Sequence, residues 1–318
     1  MRLLFVGLVA SVLGWAAPAA AQPAATLPAS WQVHTKIGLP MGPNAVACSS
    51  KCAVMRTWSG EVALFDGQRW QVLPRLPGDR EGKTYGTSVA VTADGKVYVE
   101  ASGRVGYFDG SAWTMLDLPG WQGPLSALAV LDSGDVVVAG RGRIGLKTGT
   151  AFVSHDAGTW RDLLAIRGAS LADLWTAGQG GTVMQRKGTG WSRMATGSTA
   201  FLSGLHRCGP TCAWAWAGTA GRGYRQSKVA LRWDGKSWSD ASAGLPEAPI
   251  GIAHAPDGAR AVTSDHLLRW TGSSWTQELE AAALGKGYHR FVGLCATDNL
   301  LIAADHRDAA LVRPRGRW

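Results

Sequence analysis

The stretches LRWDGKSW (231–238) and LRWTGSSW (268–275) are two copies of one phrase, and that phrase decides the fold. Versions of it recur as LFDGQRW, YFDGSAW, SHDAGTW and QRKGTGW, so the series ends at Trp70, Trp113, Trp160, Trp191, Trp238 and Trp275. PASW at Trp31 and RPRGRW at Trp318 extend it to both ends, with successive intervals of 39, 43, 47, 31, 47, 37 and 43 residues. A unit of about 40 to 50 residues carrying several short strands is a propeller blade.

Each unit reads as four strands, A to D. In the second, TSVAVTA, KVYVEAS, RVGYFDG and WTMLDLP are separated by Asp-Gly or Ser-Gly turn signals. The phrase is then the C-to-D turn, and its Trp is expected to pack between neighbouring blades, where burial contributes roughly 2 to 3 kcal/mol. Counting intervals predicts a seven-bladed, all-β propeller. The last unit supplies only three strands, so WQVHTKI near the N-terminus is expected to complete it, pairing edges that would otherwise be exposed. The unit ending at Trp191 is the weak point, because RDLLAIRGAS must serve as both a D and an A strand.

Composition agrees with this architecture. Glycine (42) and tryptophan (16) are abundant and charged residues make up only 17%, which suits many short strands and tight turns. Residues 1–21, with Arg2, the apolar run LLFVGLVASVLGW and the small residues APAAAQ, read as a secretory signal peptide cleaved after Ala21. Residues 22–318 then form one exported domain, periplasmic or secreted, with no membrane-spanning run of about 20 apolar residues. The formal charge of +9 predicts attraction to anions in general, without choosing among them.

Two C-x3-C pairs, Cys48/Cys52 and Cys208/Cys212, sit at A-to-B hairpins of the first and fifth units. In an exported chain two local disulfides are expected, with Cys295 left as an unpaired buried thiol. A metal site is the competing reading, and no third and fourth ligand cluster with either pair along the chain. No metal and no cofactor are expected.

The repeats, above all DLWTAGQGGTVMQRKGTGW (173–191), resemble those of photosystem II stability/assembly-factor-like propellers, relatives of the Asp-box proteins that include sialidases. The resemblance covers nearly the whole of 22–318 and rests on blade-building residues. It implies a propeller, and an exported scaffold that binds protein partners without catalysing a reaction.

Three chemical signatures weaken on inspection. VVVAGRGRIGLKTGT (136–150) has Gly140, Gly142 and Gly145 at GxGxxG spacing, but no helix follows to meet a pyrophosphate. SHDAGTW approximates an Asp box, a turn device remote from catalysis, and no Arg-Ile-Pro motif accompanies it. No GxSxG or HExxH is present. Asp265-His266 and Asp305-His306 fall at B-to-C turns of adjacent units, where they are expected to be polar turns and could alternatively meet as a metal or acid/base site.

Sorting charge by loop class is more informative. D-to-A and B-to-C connections emerge on one side of a propeller, the usual ligand side. The B-to-C loops GRGRIGLKTGT and GTAGRGYRQSK and the D-to-A loops GDREGKTYGT and LGKGYHR are expected to be long and to share that face. That face then collects Lys83, Arg104, Arg141, Arg143, Arg222, Arg225, Lys228, Lys286 and Arg290 together with Tyr85, Tyr224 and Tyr288. Guanidinium forks beside aromatic rings suit an acidic protein surface or an acidic polymer such as a polysaccharide, with carboxylate, sulfate or phosphate groups as the recognised chemistry. The expectation is therefore a monomeric, non-enzymatic binding protein with no specific nucleic-acid partner. The alternative is a carbohydrate-active enzyme, sialidase-like or a lyase, using Tyr224, Tyr288, Asp265 and Asp305 on acidic glycans at the same face.

Overall fold

A computed structural model describes residue 27 and residues 30–77, 88–101, 103–218 and 227–314. The expected signal peptide, the loops at 78–87 and 219–226, and Trp318 lie outside the described residues. No described helix is long and apolar enough to cross a membrane.

Seven four-stranded antiparallel sheets make up the fold, and each A strand contacts the A strands of the blades on either side, which closes the ring. Blade 1 begins with strand A at Pro43–Cys48, and blade 7 contributes A, B and C at Phe291–Ala296, Leu300–Asp305 and Ala309–Pro314. Its fourth strand is Gln32–Thr35, paired with strand C through Gln32↔Val312 to Thr35↔Ala309. Closure by the N-terminal strand is as the sequence predicts.

The core is divided among the blade junctions, with one apolar cluster at each. The repeat tryptophans fill these seams. Trp238 and Trp275 are buried, Trp275 Nε1 donating to the Ala241 carbonyl at 2.8 Å. Trp70, Trp113 and Trp191 pack partly buried against theirs. Trp31, just before the closing strand, takes the equivalent place between blades 6 and 7. The turns before these tryptophans are built locally: Asp109 Oδ1 accepts from the Ser111 and Ala112 N–H groups at 2.8 and 2.9 Å, which holds its carboxyl down to about 2.

Blade 3 departs from the expectation. Its strands are Leu125–Val130, Val136–Gly140, Arg143–Thr148 and Ala151–Asp156. The C-to-D turn is therefore the tight Gly149-Thr150 pair, closed by Thr148↔Ala151, and SHDAGTW lies at the end of strand D and beyond. Phe152 occupies the seam position that Trp191 holds in blade 4: Lys147↔Phe152 corresponds to Arg186↔Trp191. Phe152 is buried between blades 2 and 3, whereas Trp160 is exposed. Counting from Phe152, the intervals of 47 and 31 residues become 39 and 39. RDLLAIRGAS supplies only strand A of blade 4, Leu163–Ser170, and no blade is short of room.

This register is testable by stability. Phe152→Ala should cost about 3 to 4 kcal/mol, while Trp160→Ala should stay within about 0.5 kcal/mol as a surface change. Equal effects in urea unfolding would refute the assignment.

The cysteine pairing also differs. The disulfides are Cys48–Cys295, linking strands A of blades 1 and 7, and Cys208–Cys212; Cys52 is the free, buried thiol. The same C-x3-C spacing gives two outcomes because the hairpins differ. In blade 5 a bulge between Arg207 and Gly209 closes the hairpin at Gly209↔Cys212 and brings Cys208 beside Cys212. In blade 1 no bulge intervenes at that end, and Cys48 pairs with Ala53. Cys48 packs in the seam with blade 7, and Cys52 in the seam with blade 2, so the two point to opposite faces of one sheet.

Candidate functional site

The D-to-A and B-to-C connections share one face, and the described members of the predicted site all lie there. Gly140 ends strand B of blade 3 and Arg143 starts strand C, so the Gly-Arg-Gly segment is a short link and not the long loop expected from sequence. Gly142 has φ +63°, and a Cβ there would stand 2.1 Å from the Thr159 carbonyl oxygen. Its N–H donates to the Arg161 carbonyl at 3.0 Å. The glycine spacing that imitates a dinucleotide loop thus serves close approach between this link and the next connector. The long B-to-C connection of blade 5, between Ala217 and Val229, is retained. Lys83, Tyr85, Arg222, Tyr224 and Arg225 lie outside the described residues.

The basic residues come with acidic neighbours. Arg104 is 4.0 Å from Asp117. Arg141 stands opposite Asp162 in an isolated bridge, and Arg143 stands opposite Asp156 in the C–D register, its guanidinium donating to Ser154 Oγ at 3.3 Å. Arg290 Nε is 3.9 Å from Asp265. Lys228 Nζ donates to the Pro246 carbonyl at 2.9 Å. Lys286 is exposed. Sorting only the bases by loop class missed Asp117, Asp156 and Asp162, which come from the end of a D strand and the D-to-A connectors, whereas Asp265 was named from its B-to-C turn.

The connector 285–290 between blades 6 and 7 is the most organised part of this face. Gly287 has φ +113°, and a Cβ there would come within 2.5 Å of Arg307 Nη1. The connector is anchored by Asp305, which is fully buried at the end of strand B of blade 7. The Arg290 N–H donates to Asp305 Oδ1 at 2.8 Å and the Arg307 N–H to Oδ2 at 3.2 Å. His289 Nδ1 lies 2.9 Å from Oδ2 and His306 Nδ1 3.1 Å from Oδ1. The Arg290 guanidinium reaches Ser264 Oγ at 2.8 Å. Asp265 and Asp305 are therefore joined through Arg290 and do not meet. Asp265 is an exposed turn residue, but Asp305 is not the solvated turn residue that the sequence suggests. Among the described residues, no cluster of three potential metal ligands includes either aspartate, His289 or His306.

Two exposed aromatics, Trp58 and Trp160, were missed from sequence, whereas Tyr288 was among the residues it named. Trp58 (54% exposed) lies in the B-to-C turn of blade 1, Trp160 (70%) between blades 3 and 4, and Tyr288 (59%) between blades 6 and 7. Met41 (50%), between the closing strand and blade 1, joins them. The other exposed large apolar residues, Val33, Val72 and Val153, lie on outer D strands. Arginine accompanies two of the rings: Arg161 lies 5.2 Å over Trp160 and Arg290 5.9 Å over Tyr288. Loop position was the available signal for Trp160, but its place in the repeat phrase hid it.

No protein-family model matches the sequence, and no curated protein does. Solved structures show the same fold. The chain is similar to YCF48 bound to D1 peptide, with TM-score 0.68 and 13% identity over 92% of this chain and 99% of that one. It is also similar to a catalytically inactive virginiamycin B lyase from Staphylococcus aureus with quinupristin, with TM-score 0.73 and 11% identity over 90% and 99%. A third is the WD40 propeller domain of Doa1, with TM-score 0.68 and 12% identity over 91% and 98%. These neighbours include both a peptide-binding protein and an enzyme.

Proposed function

We propose that the protein is a non-catalytic β-propeller scaffold that holds a protein partner against its D-to-A/B-to-C face, in an extracytoplasmic compartment. The observation that carries this reading is the placement of every exposed aromatic side chain among the described residues on that one face, two of them beside arginine. Trp, Tyr and Arg are the residues enriched at the energetic centres of protein interfaces. The acids beside the arginines favour a protein surface of mixed charge over a uniformly anionic polymer. The peptide-bound propeller among the structural neighbours gives a precedent for such a use of the fold. The two disulfides suit an oxidising compartment.

An enzymatic role has less support. Asp305 is buried and surrounded by donors that hold a connector in place, and Asp265 sits beside Arg290.

Immobilised protein should retain a partner from envelope extract that the Trp58→Ala/Trp160→Ala/Tyr288→Ala variant retains at least tenfold less well. A Val72→Ser/Val153→Ser control on the outer strands should retain it fully. Equal retention by the triple variant would reject this face. Salt-sensitive binding to heparin, lost on Lys286→Glu/Arg290→Glu with the aromatic variant unaffected, would shift the reading to an acidic polymer.

A further inference from the structure

The opposite end of the ring carries a separate cluster. Strand A of blade 5 (Gly204–Gly209) places His206 and Cys208 on one side of the strand, and its bulge sets Cys208 against Cys212 at the start of strand B. Cys208 packs in the seam with blade 6. There strand A (Gly251–Ala255) presents His254. One ligand atom from each of Cys208, Cys212 and His254 lies within 4.8 Å of the other two. All three residues are partly exposed, so the place is open to a solvated ion.

The backbone at His254 is fixed in position. The His254 backbone N–H donates to His206 Nε2 at 3.0 Å, tying the two inner strands together and occupying that nitrogen. His206 is thus a positioning residue and not a ligand.

We propose that reduction of the Cys208–Cys212 bond converts this cluster into a binding site for one zinc-type thiophilic divalent cation, with His254 as the third protein ligand. A dithiol reductant supplies two electrons and two protons, becoming a disulfide itself, and leaves two thiols. Cation binding then displaces both thiol protons to solvent, and two thiolates and one neutral imidazole bind the ion. The resulting unit has no net charge, which suits a half-buried place.

Geometry favours it. A tetrahedral ion with bonds of about 2.3 Å to sulfur separates two thiolates by about 3.8 Å. The Cα atoms of Cys208 and Cys212 are 5.1 Å apart, so the opened hairpin needs only side-chain rotation to reach that spacing. A ring nitrogen of His254 already stands within 4.8 Å of both sulfurs. Three protein ligands leave the fourth position to water.

A C-x3-C hairpin alone does not predict this. Cys48 and Cys52 share the spacing, yet among the described residues no such ligand triad forms with them. Lying at the end of the ring opposite Trp58, Trp160 and Tyr288, the site is independent of the partner-binding face.

The full chain, reduced and titrated anaerobically with Co2+, should take up one equivalent with a thiolate-to-cobalt charge-transfer band, displaced by Zn2+. Oxidised protein should show no band. His254→Ala should weaken uptake more than tenfold and Cys212→Ser should abolish the band, whereas Cys52→Ser should leave both unchanged. Absence of the band in reduced wild type would overturn the proposal, as would a band that His254→Ala and Cys212→Ser leave intact. A readout free of variants uses alkylation mapped by peptide mass. Zn2+ should slow modification of Cys208 and Cys212 at least tenfold, with Cys48 and Cys295 unaffected, and equal rates with and without Zn2+ would also overturn it.

Discussion

Replacing Cys295 with serine is expected to lower the thermal unfolding midpoint by about 10 °C. The bond joins residues 247 apart in sequence across the seam between blades 7 and 1. In the chain-entropy account a loop of that length contributes about 5 kcal/mol through the unfolded state. For a domain of this size each kcal/mol corresponds to roughly 2 to 3 °C. Cys52→Ser should shift the midpoint by less than about 2 °C, because that thiol makes no covalent bond. Calorimetry on the two variants distinguishes the pairings. If Cys52→Ser matched Cys295→Ser, or nonreducing peptide mapping linked Cys48 to Cys52, the assignment would fall.

Asp305→Asn is expected to cost about 3 kcal/mol and to loosen the connector at 285–290. The substitution keeps the shape of the side chain but turns one acceptor oxygen into a donor amide. That amide must then face either the Arg290 N–H and His306 or the Arg307 N–H and His289. A buried donor set against donors costs its desolvation without a compensating bond. Hydrogen exchange at the Arg290 amide should quicken at least tenfold even where the protein remains folded. Partner retention should fall with it, since Tyr288 rides on this connector. Unchanged exchange would show that Asp305 does not anchor the segment.

Much of the ring was legible in sequence because its turns are made by near neighbours. The aspartate of the repeat phrase accepts N–H groups two and three residues on, as Asp66 does from Gln68 and Arg69, and the tryptophan follows at a fixed distance. Misreading came where a lookalike replaced that device. Blade 3 turns on Gly149-Thr150 and fills its seam with Phe152, while SHDAGTW reproduces the letters of the phrase beyond the end of a strand. Other features depend on contacts that spacing does not encode. A bulge decides which C-x3-C pair closes, the acids that flank Arg104 and Arg141 come from elements 13 and 21 residues away, and His254 reaches Cys208 only because their blades adjoin. Trp58 and Trp160 were obscured for a different reason: in a chain with 16 tryptophans, most of the rings are structural.

The bond between Cys48 and Cys295 has a consequence for how the molecule comes into being. A growing chain exposes Cys48 and Cys52 together while six blades remain to be made. Closing the four-residue loop between them is favoured by about 3 to 4 kcal/mol of loop entropy over closing the loop to Cys295. In an oxidising compartment the first partner Cys48 meets is therefore the wrong one. The native bond is selected only when the seam between blades 7 and 1 assembles and carries the two sulfurs to opposite sides of their sheet. The covalent clasp thus records completion of the circle and is not the agent that draws it shut.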